Sequence, residues 1–335
     1  MSLPDVKIIK LPENTTIAKL NDIKSSEIVN FLNNNLSDND QMLNIIYDEK
    51  YIRWMKKNMD DVASIAIICD NRILGLCIVE IIHFRIHVDT IELPIIRLCC
   101  VYKKLRNNGL GKITVSIAAN ILSDMNHKRI YFDSEKIIKN DNIERFFAQS
   151  SRSIIPLNQN RLIKLKLLPE KVNYDISIDE NILTHMKIED IDIVTDKINE
   201  KLSKYKFRRF YKKKDIERLL SRKECCMTYV NKSYNNYITD FISVRIEKYI
   251  LEDTIEIITN AHILFYHNEV LTTSELFSLL MNKLTNHKID QLTYTNTFEN
   301  SDIDVTHFES NIVNYSYIIG DLIDKLDADE INLDL

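Results

Sequence analysis

Apolar residues along the chain change period in a set order, and the order comes twice. Ser25–Leu36 repeats its apolar positions at helical spacing, and a polar, acidic link follows, Ser37-Asp38-Asn39-Asp40. Tyr51–Met59, which carries the single tryptophan, Trp54, is a second helical piece. Alternation then takes over in Ser64–Cys69, Ile73–Val88 and Ile91–Val101. Turns at Asp70-Asn71-Arg72 and near Asp89 part these three runs, the pattern of an antiparallel meander. A basic turn leads into a helix over Ile113–Met125, a strand over Arg129–Asp133 and a helix near Ile143–Gln149.

The second half repeats this order. Glu189–Leu202 and Lys214–Leu220 are predicted helical, and Cys225–Val230, Tyr237–Ile250 and Thr254–His267 form another meander. Thr272 and Glu275 have capping-box spacing and open a helix to Leu284. Strands over Gln291–Thr297 and Val313–Ile319 follow. The expected fold is α/β (α+β), with two similar units covering 1–168 and 169–335 and a joint at Pro169 and the polar stretch Glu170–Asp179.

Composition sharpens this picture at one place. Only four glycines occur in 335 residues, where average usage would give roughly two dozen. Two of them stand in a segment that joins a strand to a helix: Lys103, Lys104, Leu105, Arg106, Asn107, Asn108, Gly109, Leu110, Gly111 and Lys112. Closely spaced glycines in a basic turn let backbone N–H groups approach a phosphate, and a helix N-terminus adds partial positive charge. A nucleotide P-loop fits this turn less well because no GxxxxGK[ST] run exists, and a dinucleotide fingerprint fails because GxGxxG is absent.

A net charge of −5 argues against general affinity for nucleic acid, although a basic run occurs at Lys204–Lys214. The sequence has no apolar span of membrane-crossing length and no apolar leader, so a soluble, cytoplasmic chain is expected. None of the six cysteines has CxxC spacing, and no metal site is expected. His83 and His87 on one strand would stand ~13 Å apart, too far to share an ion.

Arg106-x-x-Gly109-x-Gly111 between strand and helix resembles the acyl-CoA pyrophosphate turn of the GNAT acyltransferases. The wider run from Leu98 through Cys99, Cys100, Val101, Tyr102, Lys103, Lys104 and Leu105 to Arg106 resembles the FLCVHKKLR signature of the N-myristoyltransferases. That family consists of two fused GNAT-like halves. Further resemblances keep the family's order. They are Ser37–Met42 with Tyr47 and Trp54, Leu168-Pro169-Glu170, Thr239-Asp240-Phe241-Ile242-Ser243, Phe265-Tyr266 and Phe298-Glu299-Asn300.

The resemblance implies a short viral member, of the insect-poxvirus kind, that moves myristate from myristoyl-CoA to the N-terminal glycine amine of proteins. It implies no prosthetic group and a monomer. Residues 103–112 would hold the CoA phosphates, and the backbone N–H groups of Leu98 and Cys99 would form an oxyanion hole. The terminal carboxylate of Leu335 would be the general base. Asp38, Asp40, Tyr47, Phe265 and Tyr266 would line the peptide groove.

Three departures stand beside these matches. Arg97 replaces an asparagine, Phe132 a threonine and Ala148 a histidine of the family pattern. Other readings stay open: a GNAT enzyme using a shorter acyl-CoA, a non-catalytic acyl-CoA or acyl-peptide binding module, and transfer of the acyl group to Cys99 or Cys100.

Overall fold

The computed structural model describes residues 11–36, 43–86, 88–134, 144–172, 182–220, 225–251, 254–296, 308–319 and 331–332. The first elements are β1 (Thr15–Lys19), α1 (Ser25–Asn35), β2 (Leu43–Ile46), α2 (Glu49–Asn58), β3 (Ile65–Cys69), β4 (Arg72–Ile86) and β5 (Asp89–Val101). Next come α3 (Leu110–Asp124), β6 (Ile130–Ser134), β7 (Glu144–Pro156), α4 (Gln159–Lys164), β8 (Thr184–His185), α5 (Ile191–Leu202), β9 (Phe207–Arg209) and α6 (Lys213–Leu220). The chain continues with β10 (Cys226–Lys232), β11 (Ile238–Leu251), β12 (Ile257–His267), α7 (Thr273–Asn286), β13 (Gln291–Asn296), β14 (Phe308–Ile319) and β15 (Ile331–Asn332).

Two compact units form, and the chain crosses between them. The first holds Met1–Gln41, Tyr47–Gln149 and Asn314–Ala328, and the second holds Met42–Ile46, Ser150–Val313 and Asp329–Leu335. A single cut after residue 168, as the sequence suggests, would therefore divide neither unit cleanly.

In the first unit β1, β3, β4 and β5 run antiparallel. Asp70 and Asn71 make the β3–β4 turn with φ of 48° and 61°, left-handed values that these short polar residues tolerate. Strand β6 joins β5 in parallel at Ile95↔Tyr131 and Ile96↔Phe132. Strand β14 then pairs with β6 antiparallel, from Tyr315↔Ser134 to Ile319↔Ile130. Helix α3 lays Ala118, Ala119 and Leu122 on Ile65, Cys77, Val79 and Ile130. The alanines keep that helix close to the sheet. At Gly75 an added Cβ would lie 2.6 Å from the Thr114 hydroxyl.

The second unit repeats this plan with β10, β11 and β12 antiparallel and β13 parallel to β12. Helix α7 buries Leu276, Phe277, Leu279, Leu280 and Leu284 completely. The segment near 143–149, expected as a helix, is instead the start of β7. That strand goes on to pair with β13 from Ser151↔Asn296 to Pro156↔Gln291, burying Ile155 against Leu292. Long-range pairing overrides the local helical pattern there.

The registers reveal the repeat in detail. In β5, Leu98 faces Ile78 and Ile96 faces Val79, so Arg97 is an extra, bulged residue. In β12, Phe265 faces Ser243 and Ile263 faces Val244, so Leu264 is extra in the same way. Each bulge follows shortly on the residues that pair in parallel with the next strand. Meander, bulge, helix and parallel strand thus occur in each unit, the plan of a tandem GNAT-like protein.

Candidate active site

The glycine-bearing turn of the first unit is braced from outside its own sequence. Tyr102 N–H donates to Leu74 O at 2.8 Å, carrying β5 one residue past its last strand pair. The buried side chain of Asn35, the last residue of α1, accepts Lys103 N–H at 2.9 Å through Oδ1. Its own amide donates to Phe31 O at 2.8 Å. The Arg106 guanidinium donates to the Asn35 carbonyl, a favourable place for a cation because the helix C-terminus carries partial negative charge. Arg106 therefore fixes the turn to α1.

Gly109 caps α3 with φ 82° and ψ −3°, a left-handed conformation that costs other L-residues about 1 kcal/mol or more. Gly111 has a different reason to be glycine. A Cβ there would meet only Val101 Cγ1 at 3.9 Å, an ordinary contact. The chain's own packing does not demand it, whereas a ligand lying close to the backbone would. No side chain caps α3 and its first turn holds no acidic residue. Asn107, Asn108, Lys104 and Lys112 are exposed around this helix start. Such a cradle of amides and cations suits a polyphosphate.

Beside it, the pairing of β5 with β6 covers Ile95 and Ile96 and no residue beyond the bulge among the described pairs. The backbone at Leu98 and Cys99 therefore lies where two parallel strands part. Arg97, at the bulge, gives Nε and Nη2 to Glu80 Oε2 at 2.6 and 2.5 Å. Its charge is matched by a carboxylate from the neighbouring strand. Phe132 packs on the core cluster of Ile96, Ala118 and Ile130.

The cysteines are held as thiols. Part of Cys99 reaches solvent, but protein packs densely about its sulfur, and that burial pushes the thiol up to about 11. Burial pushes Cys100 up to about 12, against the opposing pull of Arg106. Acyl transfer to either sulfur needs a thiolate, so these surroundings disfavour it.

The other sequence-predicted residues are placed as follows. Tyr47 is buried, with its N–H and C=O bonded to the Asn33 side chain at 2.8 and 3.0 Å and its ring 5.6 Å from that of Tyr51. Phe265 meets Tyr211 edge-on at 5.2 Å. Tyr266 points the other way, into the core, where it meets Phe277 at 5.6 Å, and Lys201 Nζ lies 3.2 Å from its ring centroid. Asp38, Asp40 and Leu335 lie outside the described residues. Near the last of these, β15 pairs in parallel with β9, Ile331↔Phe207 and Asn332↔Arg208. Asn199 clamps the stretch after β9 by bonding both N–H and C=O of Tyr211.

The second unit also holds a buried ionic cluster on one sheet face. Arg245 reaches Glu247 Oε1 with Nε at 3.0 Å, and Tyr249 and Asn260 donate to Oε2 at 2.7 and 3.1 Å. Burial opposes the Glu247 charge, but Arg245 and Arg152 outweigh it and hold the carboxyl well below its usual range. His262, 3.0 Å from the Thr293 hydroxyl, is pushed down to about 3 by burial.

Comparison with known proteins agrees with this construction. Residues 5–132 match the family described as "Myristoyl-CoA:protein N-myristoyltransferase, N-terminal domain". A protein of Acanthamoeba polyphaga mimivirus, named as a glycylpeptide N-tetradecanoyltransferase, is 29% identical over 300 residues, covering 88% of this chain and 83% of that protein. The Saccharomyces cerevisiae N-myristoyltransferase with bound myristoyl-CoA superposes with a TM-score of 0.82 at 15% identity, covering 94% of this chain and 81% of its own. A second structure of that yeast enzyme gives 0.81, with 94% and 85% covered. The family matched over residues 5–132 and the mimivirus relative are both acyltransferases by name. The chain is thus similar to N-myristoyltransferases in sequence over residues 5–132 and in fold over most of its length.

Asn35, Gly75 and Thr114 were not visible as site-forming residues in the sequence. Asn35 reads as one more polar residue at the end of an amphipathic helix. The scarcity of glycine was a signal for Gly75, but only the register of β4 gives it meaning.

Proposed function

We propose that this chain moves a myristoyl group from myristoyl-CoA to the N-terminal glycine amine of a protein, as a monomer and without a prosthetic group. The observation that carries the proposal is the bulge at Arg97, set where β5 leaves β6, in the strand that leads through the glycine turn to α3, whose start no side chain caps. The turn from Lys103 to Lys112 would bind the CoA phosphates. The thioester would then lie along the parted strands, its carbonyl oxygen facing the backbone N–H groups of Leu98 and Cys99. Backbone donors fixed before reaction stabilise the developing oxyanion without reorganisation.

The glycine nitrogen attacks the carbonyl carbon, the C–S bond breaks, and the leaving CoA sulfur takes up the second proton that the nitrogen loses as it becomes the amide. The ammonium proton must leave first, and the proposed acceptor is the terminal carboxylate of Leu335. Reference values near 3.5 and 8 leave this transfer uphill by roughly 6 kcal/mol. Desolvation would raise the acid and lower the amine, narrowing the gap from both sides. Support comes from β15, which ties the chain to β9 three residues before its end, and from the contact of Tyr211 with Phe265 just past β9. Phe265 and Tyr47, with Asp38 and Asp40, remain the proposed peptide contacts.

The test is mass spectrometry of glycine-initiated peptides incubated with the protein and myristoyl-CoA. One added myristoyl group per peptide is expected, with acetyl-CoA a poor donor. Removing residues 333–335 should abolish turnover while CoA still binds. Absence of any acylated product across varied peptides would overturn the proposal.

A further inference from the structure

The repeated register makes one position of β4 the counterpart of one position of β11. Gly75 stands three residues before Ile78, which faces Leu98 just past the first bulge. Asp240 stands three residues before Ser243, which faces Phe265 just past the second. At Gly75 the lack of a side chain lets Thr114 come in. At Asp240 the second unit instead sends out a carboxylate with no solvent exposure.

That carboxylate ends in the loop between β12 and α7. Its Oδ1 accepts the backbone N–H groups of Glu269, Val270 and Leu271 at 2.9, 3.0 and 2.9 Å. Its Oδ2 accepts the Thr239 hydroxyl at 2.7 Å and the Asn231 amide at 2.9 Å. Three successive amides aimed at one oxygen form the concave nest that binds anions in phosphate sites. Burial works against ionisation of Asp240, but the bonds from Leu271, Thr239, Asn231 and Glu269 prevail and lower its pKa. The start of α7 is closed as well. Thr272 accepts Glu275 N–H at 3.2 Å, and Glu275 accepts Thr272 N–H at 2.8 Å. Helix α3 carries neither device.

We infer that Asp240 is a resident anion. It fills, from within the chain, the second unit's counterpart of the phosphate turn, and so closes that unit to phosphorylated ligands. The inference uses the proposed acyl-CoA site of the first unit only to say what the counterpart would bind. The nest and its occupant stand whether or not acyl transfer occurs.

Asp240→Gly, in the full chain, gives the second unit the residue of the first. Hydrogen exchange of residues 268–272, read by mass spectrometry, reports on this loop alone and leaves the first unit's turn out of the signal. In chloride buffer the variant's loop is expected to exchange at least tenfold faster than wild type. Inorganic phosphate at equal ionic strength should slow it most of the way back, with the wild-type loop unaffected. Exchange that is unchanged by the substitution, or insensitive to phosphate, overturns the inference. Asp240→Asn keeps the side-chain shape and removes the charge, and serves should the glycine variant not fold. Its loop is expected to exchange several-fold faster than wild type, and equal rates overturn the inference equally.

Discussion

Gly75, Gly109 and Gly111 are glycine for three different physical reasons, and single alanine substitutions should separate them. Alanine at 75 must displace the Thr114 hydroxyl or lift α3, an overpacking cost of about 1–3 kcal/mol. Alanine at 109 is strained by its positive φ, costing about 1 kcal/mol. Alanine at 111 strains nothing in the chain. Denaturant melts should rank the variants 75, then 109, with 111 close to wild type. Binding of CoA should fall most clearly, relative to stability, in Gly111→Ala. A Gly111→Ala variant with full CoA affinity would show that no ligand lies against that backbone. At the same scale, the raised thiols of Cys99 and Cys100 predict no hydroxylamine-labile adduct after incubation with acyl-CoA near pH 7.5. An adduct of that kind would restore the cysteine route.

The phosphate turn depends on α1 although the two are far apart in sequence. Asn35→Ala deletes the acceptor for the part-buried Lys103 N–H. A stability loss of about 1–3 kcal/mol follows, and CoA affinity should drop several-fold because the head of the phosphate turn at Lys103 loses its tie to α1. Isothermal titration alongside melts checks both, and unchanged affinity would detach α1 from the site. Elements of this kind mark the limit of sequence reading. The meanders were legible because half-buried antiparallel strands alternate strictly, and α7 announced itself through Thr272 and Glu275. Neither bulge was legible, because an extra residue in β5 or β12 shows only when its partner strand is laid beside it. The start of β7 was misread as helix because it belongs to a strand whose continuation pairs with β13, well over a hundred residues further on. Asp240 was legible as part of a family motif, while its bonds to the loop of residues 269–271 were not.

Across the whole molecule, acid should act through the buried cluster of the second unit. His262 has a folded pKa near 3 against an ordinary value near 6.5. Below pH 6.5 the unfolded chain takes up a proton that the folded chain refuses, so stability falls continuously from there towards pH 3. Glu247, whose folded pKa is also depressed, adds to the loss below its ordinary range. Together these groups should remove up to a few kcal/mol between pH 7 and 4. Melting temperatures across that range should decline less steeply in His262→Asn. Parallel slopes would mean that the histidine is not the sensor. A bound acyl-CoA should raise the melting point in proportion to the logarithm of its concentration. Myristoyl-CoA should do so more than CoA alone if the acyl chain is buried.

The crossing of the chain between units has a consequence for its birth on the ribosome. Strand β6 receives its neighbour from Asn314–Ile319, and the second unit takes Leu43–Ile46 from the opening of the chain. The earlier-made unit must therefore wait, with a sheet edge uncovered, until Asn314–Ile319 has emerged. A nascent chain stalled before residue 314 should remain sensitive to protease in the first unit, although every other strand of that unit has already been synthesised.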